Sequence, residues 1–261
     1  MPLVNGLARH MKGSTIRYEM KGSVALLTLD CPHESNAICL PMALDLEQAV
    51  GEIRDDDEVR VVVVTGAGEA FAAGSHPGTG MEDGQRLPRV SATLARIECP
   101  VIGAINGDAL GQGLELALAC DIRLASDSAK LGLDQIHQGL VPWDGGTQRL
   151  PRLVGRGRAL AMILLGQVID ADEALRIGLV HAVYPRGSLL EEALGLADRI
   201  AGYAPIALRY AKEAVGKGMD MALGQGLRLE QDLTVLLQST GDRDEGISSF
   251  LEKRRPKYKG Q

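Results

Sequence analysis

Residues 104–126 read AINGDALGQGLELALACDIRLAS, and the rest of the chain is organised around them. An apolar strand ends near Ile105. Gly103, Gly107, Gly111 and Gly113 then break the pattern, and a helix follows whose one early charge is Glu115. Leu116, Ala117, Leu118 and Ala119 leave that helix apolar all round, which predicts burial on every side. A carboxylate in its first turn is costly to bury. Gly111 and Gly113 permit unusual backbone angles and close approach, and the amides at the helix start, Gln112 among them, face outward with the helix dipole behind them. Donors for a developing oxyanion thus stand beside a candidate general base. A plainer explanation is open too: a first-turn glutamate complements the dipole, and glycines mark tight strand-to-helix turns.

The 261 residues are 45% hydrophobic and 24% charged, ordinary values for a globular chain able to bury a large core. A net charge of −6 argues against a nucleic-acid surface. Cys31, Cys39, Cys99 and Cys120 show no CxxC or His spacing, so reduced cysteines are expected, with no disulfide frame and no metal site. No signal peptide or membrane-length apolar run is seen, which predicts a cytoplasmic protein without a membrane partner.

Upstream, 15–20 and 23–30 predict a hairpin around Lys21-Gly22. CPHESNAIC (31–39) predicts a polar loop, and Pro41 opens a helix to about Arg54. RVVVVT (60–65) is a strand covered on both faces. It delivers the chain to the glycine-rich 66–80, where ligands are expected after buried strands. A dinucleotide fingerprint is rejected there, because Phe71 stands in place of the third glycine. A helix over 85–97, strands over 101–105, 121–126 and 129–134, and a polar loop over 134–150 follow. Asp144-Gly145-Gly146-Thr147 predicts a helix start. Helices are predicted over 154–165 and after Asp170, with Glu173 completing a capping box. A strand over 179–183 precedes helices over 189–201, 205–215, 219–238 and 242–251. The class is α/β with a closing run of helices.

AFAAG (70–74), INGDALGQGLELALACDIRLAS (105–126), GLVPWDGGTQRLPRLVG (139–155), GLV (178–180) and EGISSFLEKRRPKYKG (245–260) together resemble the crotonase superfamily, the enoyl-CoA hydratase/isomerase family, in order from Ile16 to Gly260. The resemblance implies a spiral of ββα units over residues 1–200 and a helical oligomerisation region over 201–261, as homotrimers often paired into hexamers. It implies an acyl-CoA thioester substrate, with coenzyme A entering as part of that substrate and no separate cofactor. The amides of Ser75 and Gln112 would grip the thioester oxygen. Ala37, Ala73, Ser75, Gln112, Phe250 and Lys253 would bind the CoA portion. Of the two family glutamates, the first maps to Glu115, and the second falls on Gln135 in Gly132-Leu133-Asp134-Gln135, which has no proton to exchange. Three outcomes are open: Asp134 or His137 turns inward, Glu115 works alone, or the reaction differs. Hydration of an enoyl- or dienoyl-CoA leads. Isomerisation, thioester or ring hydrolysis, and a non-catalytic CoA-binding scaffold follow it. Ser75-His76-Pro77 and Trp143 depart from the family pattern at positions that would shape the acyl pocket.

Overall fold

A computed structural model describes residues 8–9, 14–76 and 89–261. Its main sheet has seven strands: β1 (Ala8–Arg9), β2 (Ile16–Lys21), β3 (Val24–Leu29), β4 (Val61–Gly66), β5 (Val101–Ile105), β7 (Ile122–Ser126) and β10 (Ala182–Tyr184), paired in that order. β1, β2 and β3 are antiparallel. From β3 onward every pair is parallel. A small second sheet holds β6 (Ala109–Leu110), β8 (Lys130–Gly132) and β9 (Val168–Asp170) in the order β6-β8-β9.

Side-chain alternation explains why the central strands are apolar on both faces. Leu26, Val63 and Ile102 lie in one row across the sheet. They pack with Leu189, Ala193, Ala197 and Ala201 of α7 (Arg186–Ala201). Spacing of four puts those residues on one stripe, and three alanines let the helix sit close to the strands. The opposite row, including Leu27 and Val64, joins the larger core with Met42, Leu46 and Val50 of α1 (Leu40–Asp55), Leu94 of α2 (Val90–Leu94) and Leu114 of α3 (Gln112–Leu118).

Several boundaries differ from the sequence expectation. Of the helix predicted over 85–97, the described part is α2, while 85–88 lie outside the described residues. The strand predicted over 179–183 is β10, because Leu179 and Val180 are drawn into the core behind α6 (Ala171–Arg176). β6 and β9 fall in stretches where the sequence predicts no element. They are two and three residues long, too short for a periodic pattern to register. Asp170 caps α6, accepting the Glu173 amide at 2.8 Å, but the Glu173 carboxylate is held by Arg176 and does not close the predicted box.

After α4 (Gly146–Val154) and α5 (Arg156–Leu164), the chain ends in α8 (Pro205–Gly218), α9 (Leu223–Leu237) and α10 (Gly241–Leu251). Lys212 anchors α8 on the core, 2.7 Å from the Asp121 carboxylate and 2.9 Å from the Cys99 carbonyl. The tail is tied back too: Asp242 accepts the amides of Lys259 and Gly260 at 2.7 and 2.8 Å. Leu223, Leu227, Val235, Leu236, Phe250 and Leu251 remain exposed along α9 and α10. Among the described residues no helix is long and apolar enough to cross a membrane.

Candidate active site

The carboxyl ends of β3, β4 and β5 run into loops that two asparagines stitch together, Asn36 buried and Asn106 half-buried. Asn36 accepts the Cys31 amide at 2.9 Å and donates to the carbonyls of Ala67 and Ala70 at 2.9 and 2.8 Å. Asn106 accepts the Gly66 amide at 2.9 Å and donates to the carbonyls of Gly68 and Ala70. The bracing role of these asparagines has no signature in the sequence, since a lone Asn in a loop signals only a turn.

Four chain segments then lie side by side. Ile38 bridges Ser75, Ala72 bridges Ala109, and Leu110 pairs with Gly132 of β8. The Ile38 amide donates to the Gly74 carbonyl at 2.7 Å, and the Leu110 amide donates to the Ala72 carbonyl at 3.1 Å. Ala37 and Ala73 therefore stand on adjacent segments, Ala37 buried and Ala73 exposed. Gly74 has φ 96° and Gly111 φ 49°, backbone angles that favour glycine. A methyl on Gly111 would sit 3.6 Å from the Gly74 Cα, so the residues after each, Ser75 and Gln112, are brought together. The Ser75 hydroxyl donates to Gln112 Oε1 at 2.9 Å.

α3 is buried over its whole length, as its sequence predicts. Glu115 is fully buried within it. Its Oε1 accepts the amides of Asp144 and Gly146, both at 2.8 Å, and its Oε2 accepts Gln135 Nε2 at 3.1 Å. Burial drives its pKa up, the Asp144 carboxylate adds to the rise, and the backbone amides pull it back, leaving it pushed up to about 7. A carboxyl poised there both accepts and returns a proton near neutrality. Gln135, 3% exposed, has its Oε1 buried without a hydrogen-bond partner among the described residues.

The Asp-Gly-Gly-Thr segment departs from its local reading. α4 starts at Gly146, and the carboxylate over its first amide is that of Glu115. The Asp144 side chain reaches across to α2, accepting the Ser91 amide at 2.7 Å.

Ser75, Gln112, Glu115 and Gln135 thus form one cluster. Asp134 Oδ1 comes within 3.2 Å of where a Gly111 methyl would stand, so this half-buried carboxylate flanks the same glycine as the Gln135 amide carbon. His137 does not turn inward: its exposed ring packs where a Gly166 methyl would be. His76 lies 3.6 Å from Glu34. No hydrogen bond or ion pair among the described residues joins Phe250 or Lys253 to the cluster. Phe250 is 83% exposed. Among the described residues no group of three or more His, Cys, Asp or Glu is placed to hold a metal.

A mixed, mostly parallel sheet packed against α7, with a buried carboxyl beside two adjoining backbone turns, defines an α/β protein with an ionisable group held in its interior. The family model for enoyl-CoA hydratase/isomerase matches residues 19–261. The chain is 41% identical over 244 residues to the 2,3-dehydroadipyl-CoA hydratase of Escherichia coli, covering 91% of this chain and 96% of that protein. It is 38% identical to the short-chain-enoyl-CoA hydratase of Clostridium acetobutylicum, covering 94% of this chain and 97% of that one. A crystal structure of the enoyl-CoA hydratase of Bacillus anthracis superposes with a TM-score of 0.90 at 40% identity, covering 95% of this chain and all of that one. The protein belongs to the enoyl-CoA hydratase/isomerase family of the crotonase superfamily, and is an acyl-CoA-processing enzyme of that family.

Proposed function

We propose that the enzyme adds water across the α,β double bond of an enoyl-CoA, with Glu115 moving both protons. The observation that carries this reading is the division of labour on the Glu115 carboxylate: the amides of Asp144 and Gly146 fix Oε1, and Oε2 accepts the Gln135 amide. A carboxylate oxygen accepts more than one hydrogen bond. Oε2 therefore has room for a water, and the buried Gln135 carbonyl supplies a second acceptor for it. Ionised Glu115 takes a proton from the water as its oxygen bonds to Cβ. The π electrons pass through Cα to the thioester oxygen, where the amides of Ser75 and Gln112 hold the enolate, an arrangement worth roughly 3 kcal/mol per donor. Protonated Glu115 then gives its proton to Cα, and the net change is one water gained. Gln135 orients and exchanges nothing.

In D₂O, incubation with a panel of enoyl-, dienoyl- and ketoacyl-CoA esters is expected to give a product gaining water with one carbon-bound deuterium. Deuterium alone would point to isomerisation and free CoA to hydrolysis. No change with any ester despite CoA binding would leave the scaffold reading.

Ala37, Ala73, Phe250 and Lys253 are proposed to contact the CoA portion. Phe250 and Lys253 lie on and just beyond α10, close to the exposed apolar face. That face is proposed to be covered by neighbouring copies in a homotrimer or a hexamer of two trimers, within the cytoplasm. Sedimentation as a single 27.7 kDa species would contradict the assembly.

A further inference from the structure

We propose that Asp144 is a positioning residue, a buried carboxylate that locks Gln112 and Glu115 into one rigid unit; the proposal rests on the hydratase reading above. Asp144 is 0% exposed. Its Oδ2 accepts the Ser91 amide at 2.7 Å and Gln112 Nε2 at 3.4 Å, and its Oδ1 accepts the Ala92 amide at 3.4 Å. Its own amide donates to Glu115 Oε1 at 2.8 Å. One residue thus holds the side chain of the oxyanion-side residue with its carboxylate and the acid–base residue with its backbone. Through Ser91 and Ala92 both are fastened to the start of α2.

Capping alone does not require a charge here, because asparagine and serine cap helix starts as well as aspartate. Three neutral donors surround the carboxylate. Among the described residues, the charged groups around it are few. From the N-cap of α2, Arg89 approaches Oδ1 only to 3.9 Å and is itself largely exposed. α3 carries no ionisable side chain but Glu115. From α4, Arg149 donates to the Asp144 carbonyl at 3.0 Å, and Arg152 turns away to Asp220. Asp134 stands beyond Gly111, and His137 faces Gly166. A poorly neutralised buried charge is costly to keep. Its consequence falls on the acidic neighbour that accepts the Asp144 amide, Glu115, whose proton affinity it raises.

The test is Asp144→Asn, which keeps the shape and an acceptor for the Ser91 amide and removes the charge, with Asp144→Ala carried in parallel. The Glu115 titration is followed by ¹³C NMR of the side-chain carboxyl, and turnover by crotonyl-CoA hydration. In both variants the Glu115 midpoint is expected to fall by about half a pH unit or more. kcat is expected to fall about tenfold, with KM changed less than about twofold. A residue that only caps α2 would lower the melting temperature of Asp144→Ala and move neither midpoint nor kcat. An unchanged midpoint overturns the proposal, as does an unchanged kcat. If the wild type hydrates no enoyl-CoA, the hydratase reading fails by itself, and the NMR midpoint, which needs no substrate, still decides the role of Asp144.

Discussion

Glu115→Gln is expected to lower kcat on an enoyl-CoA by about a thousandfold while leaving thioester binding within about twofold, read from steady-state kinetics and calorimetric titration. General acid–base catalysis by one positioned group is worth about 10²–10⁴, and in the proposed hydration one group carries both transfers. The substitution is nearly isosteric. The new carbonyl can still accept the amides of Asp144 and Gly146. The new NH₂ faces Gln135, whose side chain turns over to present its buried Oε1. Loss of rate therefore reports the missing proton carrier and not a collapsed site.

The same variant carries a stability signature. Glu115 is raised in the folded protein to about 7, above its ordinary value of 4.5. A carboxyl raised on folding gives stability that is fully present below its unfolded pKa and lost as pH climbs through the folded one. The neutral glutamine lacks this loss, so the melting temperature of Glu115→Gln relative to wild type should climb between pH 5 and pH 8. Calorimetric scans across that range check it, and a flat difference would show that Glu115 is not raised.

Gly113→Ala is expected to cost about 3 kcal/mol of stability and most of the activity. An alanine methyl at that point of α3 would stand 2.0 Å from the Ala72 carbonyl oxygen and 2.7 Å from its carbon. These are backbone atoms of the segment bridged to Ala109, so α3 must lift away from the chain that carries Ser75. Alanine is the better helix former by about 1 kcal/mol, which the clash outweighs. Gly195→Ala is the control: it sits mid-helix in α7 with nothing within 4 Å of its methyl. There the same substitution is expected to stabilise by roughly 0.5–1 kcal/mol. Denaturant melts of both variants separate crowding from propensity.

Much of this site is legible in the chain because local rules and global packing agree there. The all-apolar run after Glu115 predicts the buried α3, and RVVVVT predicts the doubly covered β4. The glycines at 111 and 113 predict close approach, and the structure meets it on the Gly74 and Ala72 segments. What stays hidden is long-range exchange of partners. Asp144 looks like the cap of the helix it precedes, yet it caps α2 while Glu115, 29 positions earlier, covers the start of α4. Glu173 is spaced for a capping box, but Arg176 lies one turn away and takes its carboxylate. Spacing along the chain fixes what a side chain can reach locally, while its choice among competing donors depends on which other segments arrive.

In the proposed hydration the thioester oxygen is held by the amides of Ser75 and Gln112 beside Glu115. The crystal structure of Glu115→Gln with crotonyl-CoA tests it most directly. It should show the thioester oxygen about 3 Å from both amide nitrogens, with Cα and Cβ facing residue 115. A thioester lying elsewhere, or an oxygen held by neither amide, would contradict it.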